Sequence, residues 1–163
     1  MIAPGEFVAK HIEKYAKINP TGVDVAPKKI FSLPNAEIYF RGKERGFIVE
    51  GRFVPLRDAL LPVDPQGDFY VLSPGRYYVV FPRIKIPEEY TGFAFPRSTL
   101  NRLGIIKSQT AVFDPGYEGE WNQTFWVPVP ARIHVDEAWV QIVFVRNEGV
   151  SGLYSGHWQG ENY

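Results

Sequence analysis

Punctuation limits this chain more than any other feature. Fourteen prolines and fifteen glycines run through 163 residues and interrupt nearly every apolar stretch after residue 20. Proline lacks the N–H that a helix interior needs, and glycine loses the most freedom on ordering. Between these breaks lie short runs rich in β-branched and aromatic residues: Glu37–Phe40, Phe47–Val54, Phe69–Leu72, Tyr77–Phe81, Gly92–Phe95, Trp121–Val129 and Trp139–Arg146. Many short strands with turn signals between them predict an all-β sandwich, jelly roll or barrel. One helix is expected near residues 5–18, where Val8, Ile12, Tyr15 and Ala16 keep helical spacing and Asn19-Pro20 ends it. No repeat or low-complexity linker divides the chain, so residues 1–163 read as one domain. Residues 149–163, rich in Gly, Ser, Tyr and Trp, read as a C-terminal arm that orders on a partner or ligand.

Composition removes several function classes. Lys+Arg and Asp+Glu are both 18, which argues against a bulk nucleic-acid binder but leaves room for a local basic pocket. No apolar run is long enough for a membrane span, and Met1 to Lys10 lacks a signal-peptide pattern, so a cytoplasmic location is expected. With no cysteine there is neither a disulfide nor a thiolate nucleophile, nor the Cys-liganded zinc of many nucleobase deaminases. His11, His134 and His157 are not at zinc-site spacing, so any metal should be a hard ion such as Mg²⁺ on oxygen ligands.

Four segments carry candidate chemistry. In Thr21-Gly22-Val23-Asp24-Val25, an acid between two strand valines must face solvent or find a partner. In Phe95-Pro96-Arg97-Ser98-Thr99-Leu100-Asn101-Arg102-Leu103-Gly104, Pro96 can open a short helical turn. Arg97, Ser98 and the free N–H groups of that turn then form either an anion cradle or a capped surface helix. In Ala111-Val112-Phe113-Asp114-Pro115-Gly116-Tyr117-Glu118-Gly119, Asp114 ends a strand and enters a Pro-Gly turn. Tyr117 offers a flat face to a sugar or base, and Gly119 permits close approach; an ordinary hairpin explains the same residues. In Trp139–Val145, Gln141 is a lone amide that needs partners if buried. The run itself suits either core or a subunit contact.

Read in series, these segments resemble the dUTPase and dCTP deaminase superfamily, from about residue 20 onward, and most closely its archaeal-type dUTPases with deaminase-like sequence. The most specific stretch is Pro-Arg-Ser-Thr-Leu-Asn-Arg-Leu-Gly followed by Phe-Asp-Pro-Gly-Tyr-Glu-Gly. The resemblance implies a distorted jelly-roll β-barrel, assembled as a homotrimer with sites at subunit interfaces. It implies that Asp24 helps hold a hydrated Mg²⁺ on the triphosphate. Arg97 and Ser98, with Thr99 and Gln141, would grip phosphate oxygens. Asp114 would orient the attacking water beside the 3′-hydroxyl, and Tyr117 would pack under the deoxyribose. Thr110 and Ala111 would flank the base pocket. Arg102 and the run His157-Trp158-Gln159 look deaminase-like and are carried as substrate-binding candidates.

One position separates the branches. The zinc-free deaminases of this family place a glutamate ten residues after the motif aspartate, and here that position is Thr124. A carboxylate can carry protons from water to departing ammonia, whereas a threonine hydroxyl cannot. Glu118 and Glu120 are expected on the turn, out of register with it. The chain therefore reads as a Mg²⁺-dependent enzyme hydrolysing dUTP to dUMP and pyrophosphate. The alternatives are a dCTP deaminase, alone or bifunctional, and a non-catalytic nucleotide-binding trimer.

Overall fold

The computed structural model describes residues 1–163. In chain order the elements are α1 (Gly5–Ala9), β1 (Lys17–Ile18), β2 (Val23–Val25), β3 (Lys29–Ser32), β4 (Glu37–Arg41), β5 (Glu44–Val49), β6 (Arg52–Pro55), α2 (Leu56–Ala59), β7 (Leu61–Pro62), β8 (Phe69–Leu72), β9 (Gly75–Lys85), β10 (Tyr90–Pro96), α3 (Ser98–Arg102), β11 (Ile106–Lys107), β12 (Val112–Phe113), β13 (Glu118–Val127), β14 (Ala131–His134) and β15 (Val140–Arg146). Two five-stranded antiparallel sheets carry the core, in the orders β1-β2-β15-β10-β12 and β11-β13-β9-β3-β7. The β4-β5-β6 meander and the β8/β14 pair flank them. No helix is long and apolar enough to cross a membrane.

Alternation explains which faces meet. On β15, Val140, Ile142 and Phe144 are fully buried, while Gln141, Val143 and Val145 on the other face are half-buried. The Trp139–Val145 run is therefore core. From the other sheet come Val79, Phe81, Trp121, Phe125 and Val127. Phe125 meets Trp139 edge-on at 5.0 Å, and Phe81 stacks on Trp121 at 4.4 Å. Burying such side chains contributes about 1.5–3 kcal/mol each, which is what closes the sandwich. A register shift between Gly119 and Trp121 bends β13 and distorts the roll beside the candidate site.

The N-terminal helix is shorter than the 3.6-residue period predicts. It ends at Ala9, not at Asn19-Pro20. Beyond it, Lys85 N–H donates to His11 O and Glu13 N–H donates to Arg83 O, both at 2.9 Å, and Ile12 bridges Ile84. The end of β9 thus supplies partners that a marginal helix would have to find internally. Val8 and Ile12 are buried in either arrangement, so their spacing alone does not discriminate. The turn after Pro96 does form a helix, α3, while α2 carries no signal that the sequence reading picked up.

Candidate active site

The strand register assembles the first group of predicted residues. Asp24 on β2 lies opposite Gln141 on β15, and Gln141 lies opposite Phe95 on β10. Just past Phe95-Pro96 the chain leaves the sheet, and Arg97 reaches back, its Nε 3.2 Å from Asp24 Oδ2. Asn19 Nδ2 donates to the other oxygen, Oδ1, at 2.8 Å. Asp24 is only 6% exposed, so it is a partnered acid and not a solvated one. Gln141 Nε2 donates to Thr21 O at 2.9 Å. Ser98, Thr99 and Arg102 are exposed on α3, beside Arg97. Exposed hydroxyls and a half-exposed guanidinium at this corner suit an anion with several oxygens.

The second group lines a cavity of about 370 Å³ between the loop 108–114 and β13. β11 pairs with β13 as far as Lys107, and Ser108 N–H still donates to Thr124 O at 2.8 Å. The loop then departs to join the other sheet, where Ala94 N–H donates to Ala111 O at 2.8 Å. The gap left along the β13 edge is the cavity. Thr110, Asp114, Tyr117, Asn122, Gln123 and Thr124 are on its wall. Asp114 is exposed at the rim. Tyr117 is buried; its hydroxyl donates to Glu120 O at 2.6 Å, and burial raises its phenol above the ordinary range. The turn between them uses Gly116 at φ +86°, where a Cβ would also sit 3.1 Å from Leu153.

The C-terminal segment docks on its own chain and closes one side of this cavity. Tyr154 N–H donates to Pro115 O at 2.7 Å, and its ring stands edge-on to Tyr117 at 5.2 Å. Gln159 clasps the turn from both ends, accepting from Glu118 N–H and donating to Gly116 O, each at 3.0 Å. Gly119 allows the approach, because a Cβ there would come within 2.8 Å of Glu161 N. Trp158 and Glu161 line the cavity, whereas His157 is exposed and only meets the Trp158 ring. The segment read as waiting for a partner or ligand is thus already ordered in cis.

Two acids differ from expectation. Glu118 and Glu120 lie on β13 and not on the turn, because the strand begins at Glu118. Glu120 is 2% exposed, ion-paired to Lys28 and bonded by Tyr163 N–H at 2.5 Å. Burial alone would raise its carboxyl, but Lys28 and Tyr163 outweigh burial and hold it below the ordinary value. Sequence reasoning also missed Tyr78, Trp121, Gln123 and Glu161 as cavity residues. Tyr78 lies opposite Thr124 in the β9–β13 register, a pairing that only the fold supplies.

The two groups do not share a cavity: Asp24, Arg97, Ser98 and Gln141 are absent from the cavity wall. Nor do three carboxylate or imidazole groups converge anywhere to cage a metal. Both Asp24 oxygens already have protein partners, so the residues fit Mg²⁺ only as an ion carried mainly by phosphate and water, with Asp24 accepting from a bound water.

Comparison with known proteins identifies the family. A family model described as dCTP deaminase-like matches residues 1–147. The chain is 35% identical over 151 residues to a probable deoxyuridine 5′-triphosphate nucleotidohydrolase of Aeropyrum pernix, covering 88% of this chain and 86% of that one. It is 35% identical over 146 residues to the deoxyuridine 5′-triphosphate nucleotidohydrolase of Methanocaldococcus jannaschii, with 88% of each covered. A dCTP deaminase of Pyrococcus furiosus is 33% identical over 115 residues, covering 68% of this chain and 72% of that one. The crystal structure of the 2′-deoxycytidine 5′-triphosphate deaminase from Agrobacterium tumefaciens superposes with a TM-score of 0.66 at 18% identity. That match takes in 88% of this chain but 46% of the other, so the chain spans less than half the length of that protein. The family model spans 1–147 of the 163 residues and both archaeal relatives are matched over 88% of the chain, so the chain belongs to the dCTP deaminase-like family, within the dUTPase and dCTP deaminase superfamily.

Proposed function

We propose that the chain is a dUTP diphosphatase, hydrolysing dUTP to dUMP and pyrophosphate by attack of water on the α-phosphate. One observation carries this reading: Thr124 lines the cavity that holds Asp114 and Tyr117, and by the family resemblance it stands, ten residues after Asp114, where the deaminases carry their proton-shuttling glutamate. A hydroxyl at that position cannot move protons between water and an exocyclic amine. Hydrolysis of the α–β phosphoanhydride asks for less. Asp114 at the rim orients a water and takes its proton, and Arg97 offsets charge developing on the phosphate oxygens. Mg²⁺, when bound with the triphosphate, would supply charge neutralisation on it. Tyr117 and Thr110 hold the nucleoside, Ser98, Thr99, Arg102 and Gln141 hold phosphate, and the segment bearing His157, Trp158 and Gln159 covers the bound nucleotide. The names of the archaeal relatives support the same substrate.

The separation of the two groups supports a homotrimer. A chain that offers phosphate-gripping residues at one corner and a nucleoside cavity elsewhere completes its site by lending one group to a neighbouring copy. Incubating the protein with Mg²⁺ and either dUTP or dCTP, with pyrophosphate and ammonia measured separately, tests the reaction. Pyrophosphate from dUTP without ammonia from dCTP is expected; the absence of both products would leave only nucleotide binding.

A second reading, dCTP deamination, has one observation in its favour. Glu161 brings a carboxyl to the same cavity; burial pushes it up, and it accepts from the Tyr163 hydroxyl. Ammonia released from dCTP and lost in Glu161→Gln would establish it.

A further inference from the structure

Asn19-Pro20, expected to stop a helix, instead closes the hairpin of β1 and β2. Pro20-Thr21 forms its loop, and Asn19 N–H donates to Gly22 O at 3.0 Å. Alternate residues of a paired hairpin share a face. Lys17 lies directly opposite Asp24 in register, and Asn19, two residues further along, is diagonal to it. The lysine is exposed and enters none of the ion pairs. The diagonal amide makes the contact, its Nδ2 donating to Asp24 Oδ1 at 2.8 Å. Only the nitrogen of an amide can donate to a carboxylate, so the orientation of the Asn19 amide is fixed by its partner. The backbone behind it is clamped as well. Gly5 N–H of α1 donates to Pro20 O at 3.3 Å, and a Cβ on Gly5 would lie 2.1 Å from Asn19 O. The donor is thus mounted on packed chain and not on a free loop tip.

The chemistry of this contact says what it does. A lysine in the same place would orient the carboxylate and also offset its charge. A neutral amide orients it and leaves the charge in place. Asp24 Oδ2 takes Arg97 Nε, and Arg97 Nη1 and Nη2 have no partner in the chain. The terminal torsion of an aspartate is broad, so a carboxylate without the amide is free to turn, and the guanidinium aimed by it turns too.

We propose that Asn19 is a positioning residue of the phosphate corner: it fixes the plane of the Asp24 carboxylate, so that Oδ2 aims Arg97 through Nε with both Nη groups left for phosphate oxygens, while Oδ1 keeps a lone pair for a water of Mg²⁺ bound with the triphosphate. The inference rests on a triphosphate binding at this corner, as proposed above.

The test measures Kd by calorimetry for dUTP with an imido bridge between its α- and β-phosphates, with and without Mg²⁺, alongside Kd for deoxyuridine. In Asn19→Ala, Kd for the imido nucleotide with Mg²⁺ should rise about tenfold, and the factor by which Mg²⁺ tightens binding should shrink. Kd for deoxyuridine, which has no phosphate, should stay within about twofold of wild type. In an Asp24→Ala background the same substitution should add less than about twofold, because the group it acts through is gone. Asn19→Asp, the same shape without the donor, should lose at least as much as Asn19→Ala, and it decides if the alanine variant does not fold. Unchanged binding in both Asn19 variants, an equal loss in the Asp24→Ala background, or an equal loss for deoxyuridine would each overturn the proposal. Asn19-dependent binding of the imido nucleotide without pyrophosphate release from dUTP would remove the proposed reaction and leave this inference standing. Pyrophosphate release with no dependence of binding on Asn19 would do the reverse, and a wild type that does not bind the imido nucleotide would overturn both.

Discussion

The Asp24–Arg97 corner and the cavity beside β13 are built by opposite means. At the corner, three neighbouring strands fix Asp24, Gln141 and Phe95 in register, and an ion pair to the buried Asp24 aims the half-exposed Arg97. At the cavity, the wall is a loop, a Pro-Gly turn and a docked C-terminal segment laid against a strand edge. A phosphate group is the same in every nucleotide, so its grip can be rigid. Under the proposed function the cavity takes a base, which must be admitted, distinguished and released, and a wall made of parts that cost little to open suits that task.

The sharpest way to break the comparison is at the rim. Asp114→Asn should lower dUTP turnover by at least about a thousandfold while leaving Kd for dUTP within about threefold, because it removes the proton acceptor and keeps the cavity. Undiminished turnover would remove Asp114 from its role. Next in size is Arg97→Met, which strips the partner from a buried carboxylate. Allowing for the part-exposure of Arg97, it should cost about 2 kcal/mol of stability, read in urea titration, in addition to the loss of phosphate affinity. A variant as stable as wild type would mean that Asp24 does not need the pair.

Smaller effects should stay local to the cavity. Gln159→Ala removes both clasps on the turn, worth about 1–2 kcal/mol of local opening, so amide exchange at Gly160 and Glu161 should speed up with the global unfolding midpoint unmoved. A drop in the global midpoint would tie the segment to the core. The smallest effect is acidic. The Glu120 carboxyl is lowered in the folded state, so its contribution is present above the ordinary carboxylate range and is lost as pH falls through the folded value. Protection of the Tyr163 amide should fade over that window in wild type and already be weak at neutral pH in Glu120→Gln; equal protection in both would show that Glu120 does not hold the segment.

What was legible in the sequence divides along the same line. Phe69–Leu72 was read with its boundaries right, and Tyr90–Pro96 and Val140–Arg146 within a residue or two, because alternation and turn residues are local signals. Asp24, Arg97 and Gln141 could be picked out as a set, since a motif preserves the outcome of strand pairing. The helix ran too long because Ile12 satisfies helical spacing and a bridge to Ile84 equally well, and only the distant strand decides between them. Lys107, Glu120 and Glu161 were missed for a related reason. A charged residue in sequence reads as surface, and its burial is set by partners far along the chain, such as Lys28 for Glu120.

Subunit complementation tests the two-group site most directly. Arg97→Met and Asp114→Asn proteins, each inactive on dUTP, are mixed, unfolded and refolded together. If each site takes Arg97 from one copy and Asp114 from its neighbour, random trimers should recover about a quarter of wild-type pyrophosphate release. Full recovery by refolded wild type with none from the mixture would place the whole site within one chain and contradict the account.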